Sequence, residues 1–170
     1  GTLLDAQEIR SSAYYSSGVA KEQRVATYSD SGLTNLIDIK VIENKVVDAR
    51  GNVKESVVTK YSSGTILDGG IGEIIPGDAV DRQTITTGAL DIRGNALEQT
   101  IVREYWTGSV FEGMEKQEIV NTGYDLHDRV GKSEIKNYTY NEETGTYDYS
   151  ELQVINYVEY DRYGNALEQT

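Results

Sequence analysis

The sequence predicts an all-β protein, a curved antiparallel meander of repeated long β-hairpins stacked as a solenoid-like array. The 170-residue chain contains 13 Tyr, 17 Gly and one Pro, which favours strands joined by tight turns. No segment sustains the 3.6-residue apolar period of a long helix. An isoleucine precedes an aspartate by six residues at 42/48, 85/91, 119/125 and 155/161, and the same heptapeptide occupies 94–100 and 164–170. Such internal repetition indicates a repeat architecture.

The repeats divide residues 1–170 into one returning strand and a series of hairpin units within a single array. Residues 3–15 are predicted to be the returning strand of a first copy, because the Tyr-Ser-Ser-Gly that closes them recurs at 61–64. The units that follow are predicted at approximately 37–79, 80–114 and 115–149, with a partial unit at 150–170.

Within these units, the strands that follow the turns are predicted at 53–61, 96–106 and 133–140. Insertions at 18–36 and 62–79 are interpreted as variable loops at one end of the hairpins. Inside the first insertion, residues 19–26 are compatible with one short helix of two turns.

Each unit is predicted to reverse direction just after its aspartate. An Asp side chain accepts backbone N–H groups in a tight turn, and Gly supplies the positive φ that the reversal needs. The predicted turn residues are Asp48, Gly51, Asn52, Asp91, Gly94, Asn95, Asp125, Asp161, Gly164 and Asn165. The third copy is two residues longer before its Gly. Turn capping is favoured over cation binding, because one Asp per turn supplies too few oxygen ligands.

The repeated isoleucines are predicted to form an apolar ladder along the array. In each copy the Ile shares one side of an extended strand with the residues two before and two after it. A single hairpin cannot bury such a face, so the partners of each unit are predicted to be neighbouring repeats of the same chain. The ladder residues are Ile42, Ile85, Ile119 and Ile155.

Charge and residue content restrict the function classes. A net charge of −12 disfavours binding to nucleic acid and to anionic membranes. The absence of Cys and the single His127 argue against a thiolate, a zinc site or a Ser-His-Asp triad. No apolar run approaches ~18 residues, so no membrane insertion is predicted. The expectation is a non-catalytic protein without a cofactor.

An acidic, Gly-rich insertion is the candidate cation site. Its carboxylates are Asp68, Glu73, Asp78 and Asp81. Calcium is the cation that such oxygen ligands favour, although the loop lacks the alternating ligands of an EF-hand. A flexible surface insertion is the alternative interpretation.

A tyrosine-rich segment is the candidate ligand platform. Tyr138, Tyr140, Tyr147 and Tyr149 alternate on two arms joined by residues 141–146. In a hairpin, residue 140 faces 147 and residue 138 faces 149, and Tyr157 extends the row. Such a surface can stack sugar rings or an apolar partner. The alternative is cross-strand packing that covers a sheet face.

The turn segments carry a resemblance to a known family. Residues 158–167 read Val-Glu-Tyr-Asp-Arg-Tyr-Gly-Asn-Ala-Leu, and 47–53 and 90–96 match with Val or Leu in place of Tyr. Tyr124 and Asp125 keep the Tyr-Asp pair without the Gly spacing. These segments resemble the YD repeat of RHS and teneurin-type proteins.

That resemblance implies stacked hairpin-like units in a long sheet that coils into a shell or tube, within a large secreted or surface-displayed protein. The function expected from it is a structural or adhesive segment of a larger bacterial surface or secreted chain, in contact with another cell surface. A carbohydrate-binding module that uses the Tyr-rich sheet face is the alternative.

Overall fold

Antiparallel strands joined in chain order build the sheet. The computed structural model describes residues 5–161 and 163–170, and in it ten strands form one sheet in the order β1-β2-β3-β4-β7-β8-β9-β10-β11-β12. Its strands are β1 (Ala6–Tyr14), β2 (Ala20–Tyr28), β3 (Leu36–Val47), β4 (Val53–Tyr61), β7 (Ala79–Thr87), β8 (Glu98–Trp106), β9 (Phe111–Thr122), β10 (Lys132–Asn141), β11 (Thr146–Tyr160) and β12 (Ala166–Gln169). The predicted all-β antiparallel meander is confirmed.

A second, two-stranded sheet lies within the insertion after β4. It consists of β5 (Gly64–Ile66) and β6 (Ile74–Pro76), with one 3-10 turn at Ile71–Glu73 between them. This insertion, predicted as a variable loop over 62–79, therefore has strands of its own.

The first insertion also differs from its prediction. Residues 18–36 contain β2, so the prediction of a short helix at 19–26 is wrong. Two isolated helical turns are unstable in water, whereas β2 pairs along one edge with β1 and along the other with β3. Strand β1 covers most of the predicted 3–15 strand, of which residues 3 and 4 lie outside the described residues.

The chain divides into two compact units, and the first comprises Gly1–Thr84 and Arg103–Glu112. Its core is a cluster of buried side chains with partly buried neighbours: Ala26, Tyr28, Ile39 and Ile74, against which Leu36, Tyr61 and Ile66 pack. The insertion after β4 covers this cluster. Arg24 donates to the Ile74 carbonyl oxygen at 2.6 Å, and Arg10 to that of Gly70 at 3.0 Å.

The second unit comprises Ile85–Val102 and Gly113–Thr170. Strand β10 pairs along its two edges with β9 and β11. Side-chain hydrogen bonds link these strands, from Gln117 to Asn137 at 2.9 Å and from Ser133 to Asn121 at 2.7 Å. Among the described residues of this unit only Thr87 and Ser133 are buried.

The four repeat isoleucines, Ile42, Ile85, Ile119 and Ile155, are all half-buried. In the first unit, Ile39 rather than Ile42 enters the buried cluster, because the two lie on opposite faces of β3 and the insertion covers the face of Ile39. In the second unit, Ile119 pairs directly with Ile135, whereas Ile155 lies opposite Ser133.

Candidate functional site

The repeat aspartates make one recurring set of hydrogen bonds. Oδ1 of Asp48 accepts the amides of Arg50 and Asn52, both at 2.9 Å, while Asn52 Nδ2 donates to Oδ2 at 2.9 Å. Asp91 and Asp161 bind the amides two and four residues later in the same way, at 2.8–2.9 Å. Their Oδ2 atoms accept the side chains of Asn95 and Asn165 at 3.0 and 2.8 Å. Each closes the reversal between two consecutive strands.

The third copy forms the same turn with different residues. Asp125 Oδ1 accepts the amides of His127 and Arg129 at 2.7 and 3.1 Å, and Arg129 Nε donates to Oδ2 at 2.7 Å. Asp128 has a φ of 61°, at the position where Gly51, Gly94 and Gly164 have φ values of 92°, 96° and 87°. The turn is therefore not longer than the others, because Asp tolerates the left-handed conformation in place of Gly.

These hydrogen bonds stabilise the ionised carboxylates. The side chain of Arg129 lowers the pKa of Asp125 to about 2. The side chain and amide of Asn52 lower the pKa of Asp48, and those of Asn165 lower the pKa of Asp161. For Asp91, desolvation acts to raise the pKa, but the hydrogen bonds from Asn95 and Arg93 lower it overall. All four carboxylates therefore act as turn caps.

The tyrosine of the Tyr-Asp pair connects neighbouring hairpins in the second unit. Tyr124 donates from its hydroxyl to the Ala96 carbonyl oxygen at 2.8 Å, and Tyr160 to that of Val130 at 2.5 Å. Each acceptor follows the capped turn of the preceding hairpin. The aspartate thus closes its own turn, while the tyrosine attaches that turn to the one before.

The Tyr-rich hairpin has the register predicted from sequence. Tyr138 lies opposite Tyr149 and Tyr140 opposite Tyr147. The rings meet edge to face, with centroids 5.8 and 5.2 Å apart. Tyr157 contacts Tyr160 in a stacked pair at 6.0 Å instead, near the far end of β11. Tyr157 therefore does not extend the row.

Charged neighbours fix one of these rings. The Tyr138 hydroxyl donates to Glu118 at 2.8 Å, and Lys116 Nζ lies 5.0 Å from the ring centroid. The hydrogen bond to Glu118 raises the pKa of Tyr138, while Lys116, and then Tyr138, lower the pKa of Glu118. Tyr149 is the most accessible ring of the four, at 60% exposure.

An open groove adjoins the end of this hairpin. It has a volume of ≈ 460 Å³ and is lined by Thr139, Tyr140, Asn141, Glu142, Glu143 and Asp148. Asn141 donates to Asp148 at 2.8 Å across it. Amides, carboxylates and the edge of an aromatic ring suit a polar, hydroxyl-rich ligand. A second cavity, also of ≈ 460 Å³, is lined by His127, Arg129, Tyr163 and Gly164.

The structure does not bring the candidate cation ligands together. Asp78 accepts a hydrogen bond from Ser63 at 2.9 Å, Glu73 lies in the 3-10 turn and Asp81 lies in β7. Asp68 is exposed in the loop after β5. Within residues 5–161 and 163–170, no group of three or more His, Cys, Asp or Glu side chains is arranged to hold a metal ion.

Two features escape the sequence analysis. Asp30 caps the turn between β2 and β3, accepting from the amides of Gly32 at 2.9 Å and Asn35 at 2.7 Å. The sequence Asp-Ser-Gly is typical of a tight turn, so this cap could be predicted from sequence. The bidentate pair of Arg82 with Glu104, at 2.7 and 2.9 Å, has no local signal because the partners are distant in sequence.

Known proteins similar to this chain are found among solved structures. No protein-family model matches the chain, and no characterised protein matches its sequence. Among solved structures, the chain is similar to a protein of unknown function from Bacteroides fragilis, at 11% identity and a TM-score of 0.48. The match covers 87% of this chain and 92% of that chain. In the described part of the chain, no helix is long and apolar enough to span a membrane.

Proposed function

We propose that the chain is a non-catalytic structural segment whose capped turns hold an antiparallel sheet as a scaffold. The observation that supports this role most directly is the same capped turn at all four repeat aspartates. The turn keeps the same geometry in all four copies although its side chains differ in the third. Such recurrence is expected of a repeated structural unit. The proposed setting, a large bacterial surface or secreted protein with an adhesive role, rests on the resemblance to YD repeats.

The scaffold proposal is tested by matched insertions. A Gly-Ser-Gly-Ser segment between Arg93 and Gly94 separates Asp91 from the Asn95 groups that it binds, so the melting temperature is expected to fall clearly. The same segment between Gly108 and Ser109 interrupts a turn that is closed by Thr107 and Val110 without a carboxylate cap, so a smaller fall is expected there. Equal losses of melting temperature, measured by circular dichroism, would contradict the special role of the capped turns.

Carbohydrate binding is the second candidate, favoured by the groove beside Tyr140 and by the exposure of Tyr149. A glycan array probed with the labelled chain separates the two functions. The scaffold predicts no signal above background. Binding that disappears in Tyr140→Ala and Tyr149→Ala would favour the carbohydrate module. The control is Tyr14→Ala, since Tyr14 on β1 is 61% exposed and belongs to the other unit.

A further inference from the structure

A single Asp-Gly bond, between Asp68 and Gly69, lies in the loop between β5 and the 3-10 turn. The sequence contains no other Asp-Gly and no Asn-Gly. Residues 67–70 are all exposed. Within the described residues, the Asp68 carboxylate makes no hydrogen bond or ion pair, and the Gly69 amide donates no hydrogen bond. Both groups are therefore free to react with each other.

The backbone of this loop requires glycine at position 69. Its φ is 142°, a conformation that L side chains rarely adopt, and a Cβ there would stand 2.8 Å from Glu73 Cγ. Glycine is also the residue that least hinders attack on the preceding side chain, because it has no Cβ beside the reacting nitrogen. The loop conformation thus retains the most reactive neighbour that an aspartate can have.

The repeat aspartates are restrained in two ways that Asp68 is not. Their carboxylates accept amides two and four residues later, as at Asp48 and Asp91 at 2.8–2.9 Å, so the orientation of each side chain is fixed. The residues that follow these aspartates all have a side chain, and they are Ala49, Ile92, Leu126 and Arg162. Asp68 lacks both protections.

We propose that Asp68 is a site of spontaneous isoaspartate formation. The Gly69 nitrogen attacks Cγ of the Asp68 carboxylic acid, and a molecule of water leaves as a five-membered succinimide ring closes. Water then adds to the main-chain carbonyl of Asp68 and breaks its bond to the Gly69 nitrogen. The chain afterwards runs through Cβ and Cγ of residue 68, and the α-carboxylate becomes the side group. The reaction is an isomerisation, so the mass of the chain stays the same.

The modified bond lies inside a loop that is closed by hydrogen bonds. Leu67 donates its amide to the Glu73 carbonyl oxygen at 2.8 Å, and Glu73 donates to that of Gly70 at 3.1 Å. Arg10 also donates to the Gly70 carbonyl oxygen, at 3.0 Å. One extra main-chain carbon between residues 67 and 70 is expected to break at least one of these three bonds.

Loosening of this loop reaches the core of the first unit. Glu73 precedes Ile74, which is fully buried in the apolar cluster with Ile39. Ile74 also pairs with Ile66 across the two-stranded sheet that flanks the loop. Isoaspartate at position 68 is therefore expected to weaken the cover over this cluster, so that the modified chain melts at a lower temperature.

Ageing of the folded chain tests the proposal. The purified protein is kept at neutral pH and physiological temperature for several weeks and then digested with trypsin. Cleavage after Lys60 and Arg82 releases residues 61–82 as one peptide, which contains Asp68, Asp78 and Asp81. Electron-transfer fragmentation distinguishes isoaspartate from aspartate at each position. We expect isoaspartate at 68 to exceed that at 78 and 81 at least about tenfold.

Asp68→Glu is the matched control variant. It keeps the charge and the following glycine, but its side chain closes only a six-membered ring, which forms much more slowly. Fresh Asp68→Glu should have the circular dichroism spectrum and melting temperature of the fresh wild type. After ageing, the wild type should lose melting temperature and accept a methyl group from an isoaspartyl methyltransferase, whereas Asp68→Glu should do neither.

An unfolded sample in guanidinium shows whether the fold restrains the bond. We expect isoaspartate to form at position 68 of the folded chain within about tenfold of the unfolded rate. A larger difference would mean that the loop protects the bond, and would overturn the proposal. So would equal isoaspartate at 68, 78 and 81, its absence at 68 after ageing, or equal methyl transfer to aged Asp68→Glu. An unchanged melting temperature in fully modified wild type would contradict the effect on the core.

Discussion

The side chain of Asp125 illustrates how one residue fixes a turn. One carboxylate oxygen accepts two backbone amides, and the other accepts Arg129. In the other turns this second oxygen accepts a hydrogen bond from a side-chain amide instead of a guanidinium. The donors are Asn52, Asn95 and Asn165. A charged partner makes the third cap the most dependent on ionisation, which is why the pKa of Asp125 falls to about 2.

This dependence predicts a loss of stability in acid. The pKa of Asp125 is depressed in the folded chain, and that of an unfolded Asp is about 3.9. The cap therefore contributes stability above about pH 4, and that contribution is lost as the pH falls toward about 2. We expect the melting temperature of the wild type to drop over this range, as measured by circular dichroism.

Asp125→Asn is expected to have a lower melting temperature than the wild type at pH 7 and a smaller drop between pH 5 and pH 2. Asp68→Asn controls for the removal of one negative charge from an exposed site outside the turns. A wild-type pH profile in Asp125→Asn would show that this carboxylate does not contribute to the acid sensitivity.

Strand β3 shows how an element acquires two unequal faces. Ile39 is fully buried between Ala26 and the insertion after β4, whereas Ile42, on the other face, is half-buried. The insertion approaches so closely that a Cβ on Gly64 would collide with Ile39 Cδ1 and the Ile75 carbonyl oxygen. The covered face of this strand therefore carries most of its packing energy.

The same substitution on the two faces gives a matched comparison. Ile39→Ala is expected to lower the free energy of unfolding by about 3 kcal/mol, because it leaves a cavity in a close-packed cluster. Ile42→Ala is expected to cost about 1 kcal/mol, because that side chain is only half-buried and lies outside the close-packed cluster. Urea unfolding followed by circular dichroism measures both values. An equal or larger cost for Ile42→Ala would place the main core on the opposite face of β3.

At the scale of the whole molecule, buried apolar surface is distributed unevenly between the two units. The first unit contains the buried apolar cluster, and the described buried residues of the second are Thr87 and Ser133. The second unit instead has side-chain hydrogen bonds between strands and the Tyr124 and Tyr160 links between turns. Local stability follows buried apolar contacts more closely than exposed polar ones.

Native-state hydrogen exchange is expected to reveal this difference. Amides of β2 and β3 that bond to neighbouring strands should exchange at least about tenfold more slowly than equivalent amides of β10 and β11. Measurement well below the melting temperature, in dilute protein, keeps both units folded and any association low. Equal protection in the two units would mean that the chain opens only as a whole.

Short-range features of this chain follow from its sequence. The capped turns and the Tyr138–Tyr149 register are predictable because each is closed by residues adjacent in the chain. The Asx turn needs only five consecutive residues, and a hairpin register follows from its turn. The length of the third turn is predicted wrongly because Asp128 takes the position of Gly in the left-handed conformation, where the sequence has no Gly to indicate it.

Only the tertiary structure decides which residues form the core and which secondary structure the two insertions adopt. Residues 19–26 are too few for a stable helix alone, and they form a strand because β1 and β3 offer paired edges on either side. The insertion after β4 becomes a cover because Ile74 can be buried against Ile39, a contact between residues far apart in sequence. Local chemistry thus determined the repeated turns and the all-β class, whereas long-range packing selected which sheet face became the core.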